Sequence, residues 1–496
     1  MRFTLKNQQL TPVKFPHEES FRISQIPLIP QPQLNQNFPY NKDLQQLLTG
    51  KQLLLDDIPF PLNEIHTHYE NGFITYRPGI QYNGKKTCCT RCGNKDPQWF
   101  SAYPCKRCGE ICLYCRHCIM MGRISECTPL LGWNGPVPDT ALDQKIMAWQ
   151  GRLSEGQQVA SDHVVDAIQQ NKEHLVWAVC GAGKTEVLFA GIEAALAALK
   201  RICIATPRTD VVLELTPRLK AAFPEITIAS LYGGSEDRHL FAPLTIATTH
   251  QLLRFYHAFD AIILDEVDAF PYTVEESLQY AAIQARKPNS AMIYLTATPN
   301  QKWQRESRTG KRAFTTIPAR FHRHPLPVPE FIWCGNWQKQ LHKNKLPPNV
   351  LKWIKDRTDS NKQALLFFPH IPLMEKALPI IRRLAPNTEA VHAEDPGRKE
   401  KVQKMRAKEI PLLLTTTILE RGVTFPNIDV AVIGAEDDIF TESALVQIAG
   451  RAGRSKDHPE GVVAFFHYGK TEEMLKAKKQ IIGMNREGVK RGLIDL

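Results

Sequence analysis

Residues 178–186 read AVCGAGKTE, and the fold turns on how this stretch is understood. It follows the phosphate-binding pattern G-x-x-x-x-G-K-[ST], with Ala178 where the first glycine usually stands and Gly183, Lys184 and Thr185 in place. The apolar run LVWAV leading into it suits a buried strand. EVLFAGIEAALAALK after it repeats apolar residues every three or four positions, as a helix does. Gly181 and Gly183 let backbone N–H groups turn toward phosphate with no Cβ in the way, and the following helix adds its positive end. The candidate nucleotide cradle is therefore Ala178, Val179, Cys180, Gly181, Ala182, Gly183, Lys184 and Thr185. Lys184 would reach the β/γ-phosphates of ATP and Thr185 a Mg²⁺ ion. A chance glycine turn is the bland alternative.

Working outward, the chain of 496 residues has room for about three domains. It is 43% hydrophobic and 23% charged, an ordinary globular balance. A net charge of +11 favours an anionic partner such as nucleic acid or an acidic membrane face, although charge alone also serves solubility. There is no apolar run of membrane-spanning length. The opening MRFTLKNQQL has no apolar segment of the secretory kind. The expectation is a cytoplasmic protein.

Nine of the twelve cysteines fall between residues 88 and 127. Cys89/Cys92, Cys105/Cys108 and Cys115/Cys118 are C-x-x-C pairs, two of them continuing with glycine as CTRCG and CKRCG. In a cytosolic chain this spacing reads as metal binding and not as disulfides. Four thiolates make a tetrahedral structural Zn²⁺ site; an iron–sulfur cluster is the rival. Cys89, Cys92, Cys115 and Cys118 can form one site, and Cys105, Cys108, Cys112 and Cys127 a second one interleaved with it. Cys88 is left over as a substitute for Cys89, and His117 reads as a surface histidine. Before this module, residues 1–85 carry the Pro-, Gln- and Asn-rich QIPLIPQPQLNQNFPYN, which reads as an extended, poorly ordered arm or small accessory region. After it, LGWNGPVPDT reads as a linker.

Beyond the loop, RICIATPR, LTIATTH, AIILDEVD and AMIYLTATP are candidate buried strands alternating with helical patterns. This is the signature of a doubly wound α/β sheet with functional loops at strand C-termini. Asp265 and Glu266 end one strand: Asp265 would hold Mg²⁺, and Glu266 would orient and deprotonate the attacking water. A second cycle of strands begins near residue 360 without a phosphate loop of its own. It carries QIAGRAGR, whose Arg451 and Arg454 are expected on one helix face as a clamp over the γ-phosphate. An exposed basic helix is the alternative. The basic stretch KWQRESRTGKRAF is a further candidate nucleic-acid contact or a solvated linker.

Taken together, AVCGAGKT, ATPR, TTHQLL, LDEVDAF, LTATP, TTILERGVTF and QIAGRAGR form an ordered set, over about residues 145–470, that resembles superfamily 2 helicases. The resemblance implies two RecA-like parallel-sheet lobes in tandem, with ATP between them and Gln157 of LSEGQQ reading the adenine. In that fold class Thr206, Arg208, Thr248 to His250 and Thr415 to Thr417 would grip a nucleic-acid strand. The acidic box is DEVD and not DEAD, and Thr424 stands where DEAD-box RNA helicases carry aspartate. Both point away from RNA. With the cysteine module placed before the motor, and with TTHQLLRFY, DEVDAFPY and TTTILERGVTFPNIDV, the whole chain resembles the ComFA family of late competence proteins. That resemblance implies a cytosolic ATP-dependent single-stranded DNA translocase that acts in uptake of transforming DNA, with a peripheral place at the inner face of the membrane left open. Its implied partners are competence proteins such as ComFC, DprA and the ComEC membrane channel, and it leaves oligomerisation open. A PriA-like replication-restart helicase, and a zinc-bearing scaffold with a regulatory ATPase, are the alternatives. The division expected is 1–85, a cysteine module over 86–130, an ATP-binding lobe over 140–312 and a C-terminal lobe over 325–496.

Overall fold

The computed structural model describes residues 1–6, 9–13, 19–84, 86–139, 146–421 and 425–495. Thr424, one of the positions read against an RNA helicase, lies outside them, as does Thr140 at the end of the expected linker.

Two parallel sheets dominate the chain. One has seven strands in the order Ile228–Leu231, Leu244–Thr248, Ile202–Thr206, Phe259–Leu264, Arg286–Thr296, Glu173–Ala178 and Phe314–Ile317. The other has six, in the order Glu330–Trp333, Val463–His467, Ile428–Ile433, Gln363–Phe367, Leu412–Thr415 and Glu389–Val391. Every residue of Ile202–Thr206, Leu244–Thr248 and Ile428–Ile433 is buried. Helices cover both faces of a parallel sheet, which is why these strands read as unbroken apolar runs instead of alternating ones. The strand order and the direction of pairing make two RecA-like lobes, as expected.

The chain forms two compact units. One comprises Met1–Gly151, Val164–His174 and Phe189–Tyr294; the other comprises Arg152–His163, Leu175–Leu188 and Leu295–Leu496.

In the first unit the N-terminal region is folded, which corrects the expectation of a poorly ordered arm. Leu44, Leu47 and Leu48 from the helix Lys42–Leu48 meet Ile65 and Tyr69 from the helix Leu62–Glu70 in a dry core with Phe3, Leu10, Ile23, Ile74 and Leu131. The apolar side chains recur at helical spacing, and they outweigh the disorder-prone composition around them. The described residues 26–40 carry no helix or strand, yet Tyr40 at their end packs on Phe73 and Trp133. The expected linker also begins differently. Pro129–Trp133 is a strand between Leu53–Leu54 and Ile74–Pro78, so the chain leaves the cysteine module by re-entering the N-terminal core.

Candidate active site and metal centres

The phosphate loop belongs to the second unit. Ala178 is the last residue of its strand and fully buried. The left-handed conformation occurs at Gly181 (φ 82°) and Gly183 (φ 70°) and not at Ala178. That is the physical reason an alanine can stand where the usual pattern has glycine. Val179 N–H donates to the Ile317 carbonyl at 3.1 Å and Ala182 N–H to the Val179 carbonyl at 3.2 Å, which closes the loop. Lys184 and Thr185 open the helix Lys184–Val187, half-buried at the rim. Two left-handed glycines followed by a helix start form a cradle that fits a polyphosphate.

Gln157, expected to read adenine, is buried against the loop. Its amide Nε2 donates to the Ala182 carbonyl at 2.8 Å and its Oε1 accepts from Ser154 N–H at 2.8 Å. A Cβ on Gly183 would stand 2.4 Å from that Nε2, so the glutamine braces the loop from behind.

The same unit brings the QIAGRAGR segment to the loop. Cys180 Sγ donates to Gln447 Oε1 at 3.0 Å. Arg451 and Arg454 are not on a helix face, which corrects the expectation. The helix Glu442–Ala449 stops before them, and Gly453 takes the left-handed conformation (φ 63°) in the turn that carries both arginines. Arg451 is buried and its Nε donates to the Glu420 carbonyl at 2.8 Å; Arg454 Nε donates to the Gly450 carbonyl at 2.9 Å. Two further motifs meet the helix: Thr298 of LTATP and Arg421 of ERG both hydrogen-bond Ser443, at 2.7 and 3.0 Å.

In the first unit, Asp265 and Glu266 follow the strand Phe259–Leu264 directly. Glu266 is left-handed (φ 53°), with its N–H on Asp265 Oδ1 at 2.9 Å. The expected strand-gripping residues divide. Thr206, Thr248, Thr249 and Thr415 are buried. His250, Thr416 and Thr417 are half-exposed, and Arg208 is forked onto Asp210 at 3.0 and 2.6 Å. The TTHQLLR turn is braced by the N-terminal region. Gln52 N–H donates to the Arg254 carbonyl at 2.8 Å, Gln52 Nε2 to the Leu253 and Phe255 carbonyls, and Arg77 stacks 3.5 Å over the Tyr256 ring.

The eight cysteines fall into the two interleaved sets expected. The sulfurs of Cys89, Cys92, Cys115 and Cys118 all lie within 4.8 Å of one another, and so do those of Cys105, Cys108, Cys112 and Cys127. Cys89–Cys118, Cys92–Cys115 and Cys105–Cys127 are 3.8, 3.7 and 3.6 Å apart. These separations are far beyond a disulfide bond. A tetrahedron of ~2.3 Å zinc–sulfur bonds has edges of roughly 3.8 Å, so both sets fit Zn²⁺. All eight are buried, and Cys88 is outside both sets. His117 is also outside them, packed edge-on against Trp99.

Sequence reasoning missed Arg91, inside the CTRC knuckle. It is buried, and its guanidinium donates to Cys118 Sγ at 3.1 Å and to the carbonyls of Cys118, Met121 and Gly122. Hydrogen bonds from Cys115, Cys89 and Cys92, with Arg91 adding its charge, hold the Cys118 thiol far below the usual range. A cation at this position offsets the excess negative charge that four thiolates would carry around one Zn²⁺. The knuckle also touches the motor. Tyr280 of the helix Glu276–Ala285 donates to the Thr90 carbonyl at 3.4 Å, and its ring lies where a Cβ on Gly93 would be.

Three family models match stretches of the chain. Residues 34–132 match the family described as competence protein ComFA N-terminal domain. Residues 150–301 match type III restriction enzyme, res subunit, and residues 344–456 match the helicase conserved C-terminal domain. The competence protein ComFA of Bacillus subtilis is 50% identical over 92% of this chain and 98% of its own length. That of Streptococcus pneumoniae is 38% identical over 86% and 97%. Among solved structures, S. cerevisiae Dbp5 bound to RNA and ADP BeF3 has a TM-score of 0.50 at 12% identity, covering 69% of this chain and 93% of that one, a likeness of fold alone. No helix among the described residues is long and apolar enough to cross a membrane. The motor is thus a helicase-class ATPase, and the chain belongs to the ComFA family of competence proteins.

Proposed function

We propose that this chain is an ATP-dependent translocase that draws transforming single-stranded DNA into the cytoplasm. The observation that carries the reading is the seating of the segment Gln447–Arg454 on the phosphate loop, through the Cys180–Gln447 hydrogen bond and the close approach of Gly450 to Cys180. Such a turn presents arginines to a γ-phosphate, and its release on hydrolysis supplies a motion. ATP supplies the phosphoanhydride whose cleavage drives the cycle. Lys184 and the loop N–H groups would hold it, Thr185 and Asp265 would hold Mg²⁺, and Glu266 would take the proton of the attacking water. Arg451 and Arg454 would stabilise the charge that develops. Zn²⁺ in the two cysteine sets would fix the N-terminal module against the helix Glu276–Ala285. The strand would be gripped by loop backbone together with Arg208, His250, Thr416 and Thr417. ComFC, DprA and the ComEC channel are the competence proteins that such a motor would serve, from the cytoplasmic side.

The test compares ATPase rate on single-stranded DNA, duplex DNA and RNA, together with displacement of streptavidin from a biotinylated single strand. Stimulation by single strands, with displacement and without duplex unwinding, is expected. Efficient duplex unwinding would favour a replication-restart helicase, and an ATPase indifferent to nucleic acid would favour a scaffold. Affinity should also fall with salt, with a log–log slope of roughly −0.7 per phosphate neutralised.

A further inference from the structure

Arg320 lies in the segment that follows the strand Phe314–Ile317, away from every helicase motif in the sequence. Its side chain is 2% exposed. No carboxylate pairs with it among the described residues. Its guanidinium donates instead to three backbone carbonyls around the turn that ends the helix Glu442–Ala449: Gly450 at 3.3 Å, Ala452 at 2.8 Å, and Gly453. His322 adds a contact to the Gly453 carbonyl at 3.2 Å.

A helix C-terminus carries unpaired carbonyls and partial negative charge, so a cation there is favourable. Burying one with no anion is nevertheless expensive, and burial together with the nearby Arg454 brings the Arg320 pKa down to about 10. The arrangement persists because the planar guanidinium carries five donors in a fixed fork and spans three carbonyls at once, more than a compact ammonium reaches in this geometry.

The other side of Arg320 faces the phosphate loop. Its Cγ, Cδ and Nε lie 3.6–3.7 Å from where a Cβ on Gly181 would be, and Phe321 N–H donates to the Gly181 carbonyl at 3.3 Å. Nε itself has no hydrogen-bond partner among the described residues. One side chain therefore touches both the loop and the turn that carries Arg451 and Arg454.

We propose that Arg320 is the positioning residue of the arginine pair: it fixes the Gly450–Gly453 turn against the phosphate loop, so that Arg451 and Arg454 reach the triphosphate in register. The inference rests on the reading that those two arginines stabilise phosphoryl transfer. A positioning residue acts on turnover through the pair and leaves ground-state nucleotide binding to Lys184 and the loop.

The test is a kinetic cycle on the full-length protein. Arg320→Gln should lower kcat for DNA-stimulated ATP hydrolysis by about tenfold to a hundredfold, with KM for ATP within about threefold of the parent. Arg320→Lys, which keeps the charge but reaches fewer carbonyls, should fall between the two, and it takes the place of the Gln variant should that one fail to fold. Adding either change to Arg451→Ala/Arg454→Ala should lower kcat no further. A fall of the same factor in that background, or a raised KM with unchanged kcat, would overturn the proposal. Full activity of Arg451→Ala/Arg454→Ala alone would instead remove the reading on which it rests.

Discussion

Gly450 lies so close to Cys180 that a Cβ on the glycine would stand 2.5 Å from the cysteine Cβ and 2.7 Å from its Sγ. The backbone at Gly450 is not left-handed (φ −64°), so glycine is needed there for space and not for conformation. On propensity alone an alanine would be preferred at a helix end. Gly450→Ala should therefore push the turn off the loop and lower turnover by about tenfold, while the far-ultraviolet spectrum stays that of the parent. Overpacking of this kind typically costs about 1–3 kcal/mol. Trimming the opposing side chain with Cys180→Gly should relieve the clash and recover part of the rate. Parent-like turnover in Gly450→Ala would mean that loop and turn work independently.

Glu266 sits left-handed at the tip of its strand, a conformation costly for a residue with a side chain and seen where the surroundings over-determine it. The proposed role as base predicts a separation of binding from chemistry. Glu266→Gln should bind a fluorescent ATP analogue with near-parent affinity and hydrolyse ATP some 10²–10⁴ times more slowly. Affinity lost in step with rate would assign the residue to nucleotide or metal holding.

What was legible in the sequence were features that are local or obey a fixed spacing. The phosphate loop, the strand-tip pair Asp265 and Glu266, and the interleaving of the two cysteine sets all belong to this class, because ligand spacing constrains the chain that carries it. Gly450 and Gly453 were visible too, and reading them as a helix stop would have placed Arg451 and Arg454 in a turn. In the N-terminal region composition misled. Its Pro, Gln and Asn content drew attention from Leu44, Leu47 and Leu48, whose spacing was the better signal. Arg320 had no local signal, since its three carbonyl partners come from about 130 residues away. Arg91 carried only a faint one, its place inside a C-x-x-C pair.

The seam between the N-terminal region and the motor holds a buried lysine, and it should titrate. Lys51 Nζ donates to the Arg238 and Leu240 carbonyls at 3.1 and 3.4 Å. Burial, with Arg201 and Arg254 nearby, brings its pKa down to about 7. An unfolded lysine stays near 10.4. Between about pH 7 and pH 10 the unfolded chain therefore holds a proton that the folded chain has lost, so this residue makes stability rise with pH across that window. Below about pH 7 both states are protonated and the slope vanishes. In urea titrations the stability of the parent minus that of Lys51→Met should climb from pH 7 to pH 9, by at most roughly 1.4 kcal/mol per pH unit. A flat or falling difference would show that Lys51 stays charged in the fold.

The cysteine sets yield the most direct chemical prediction. Two tetrads with near-tetrahedral sulfur spacing should hold two Zn²⁺ per chain, with no iron–sulfur absorbance, when the protein is analysed for metals. Cys89→Ser/Cys92→Ser should release one ion and Cys105→Ser/Cys108→Ser the other. Metal binding contributes on the order of 10 kcal/mol to folding a module of this kind, so each loss should raise amide exchange across 86–130. The effect should not stop at the module. The first set lies against Tyr280, whose helix Glu276–Ala285 packs on the TTHQLLR turn, and the N-terminal region bonds the end of that turn through Gln52. The second set is further from that helix in the chain of contacts, since Gly93 and Thr90 of the first knuckle make the touch. Loss of the first ion should therefore cut stimulation of the ATPase by single-stranded DNA several-fold while basal hydrolysis persists, and loss of the second should cut it less. Tyr280→Ala should reproduce the first effect with both ions still bound. Normal stimulation in Tyr280→Ala would show that the metal module reaches the motor by another route.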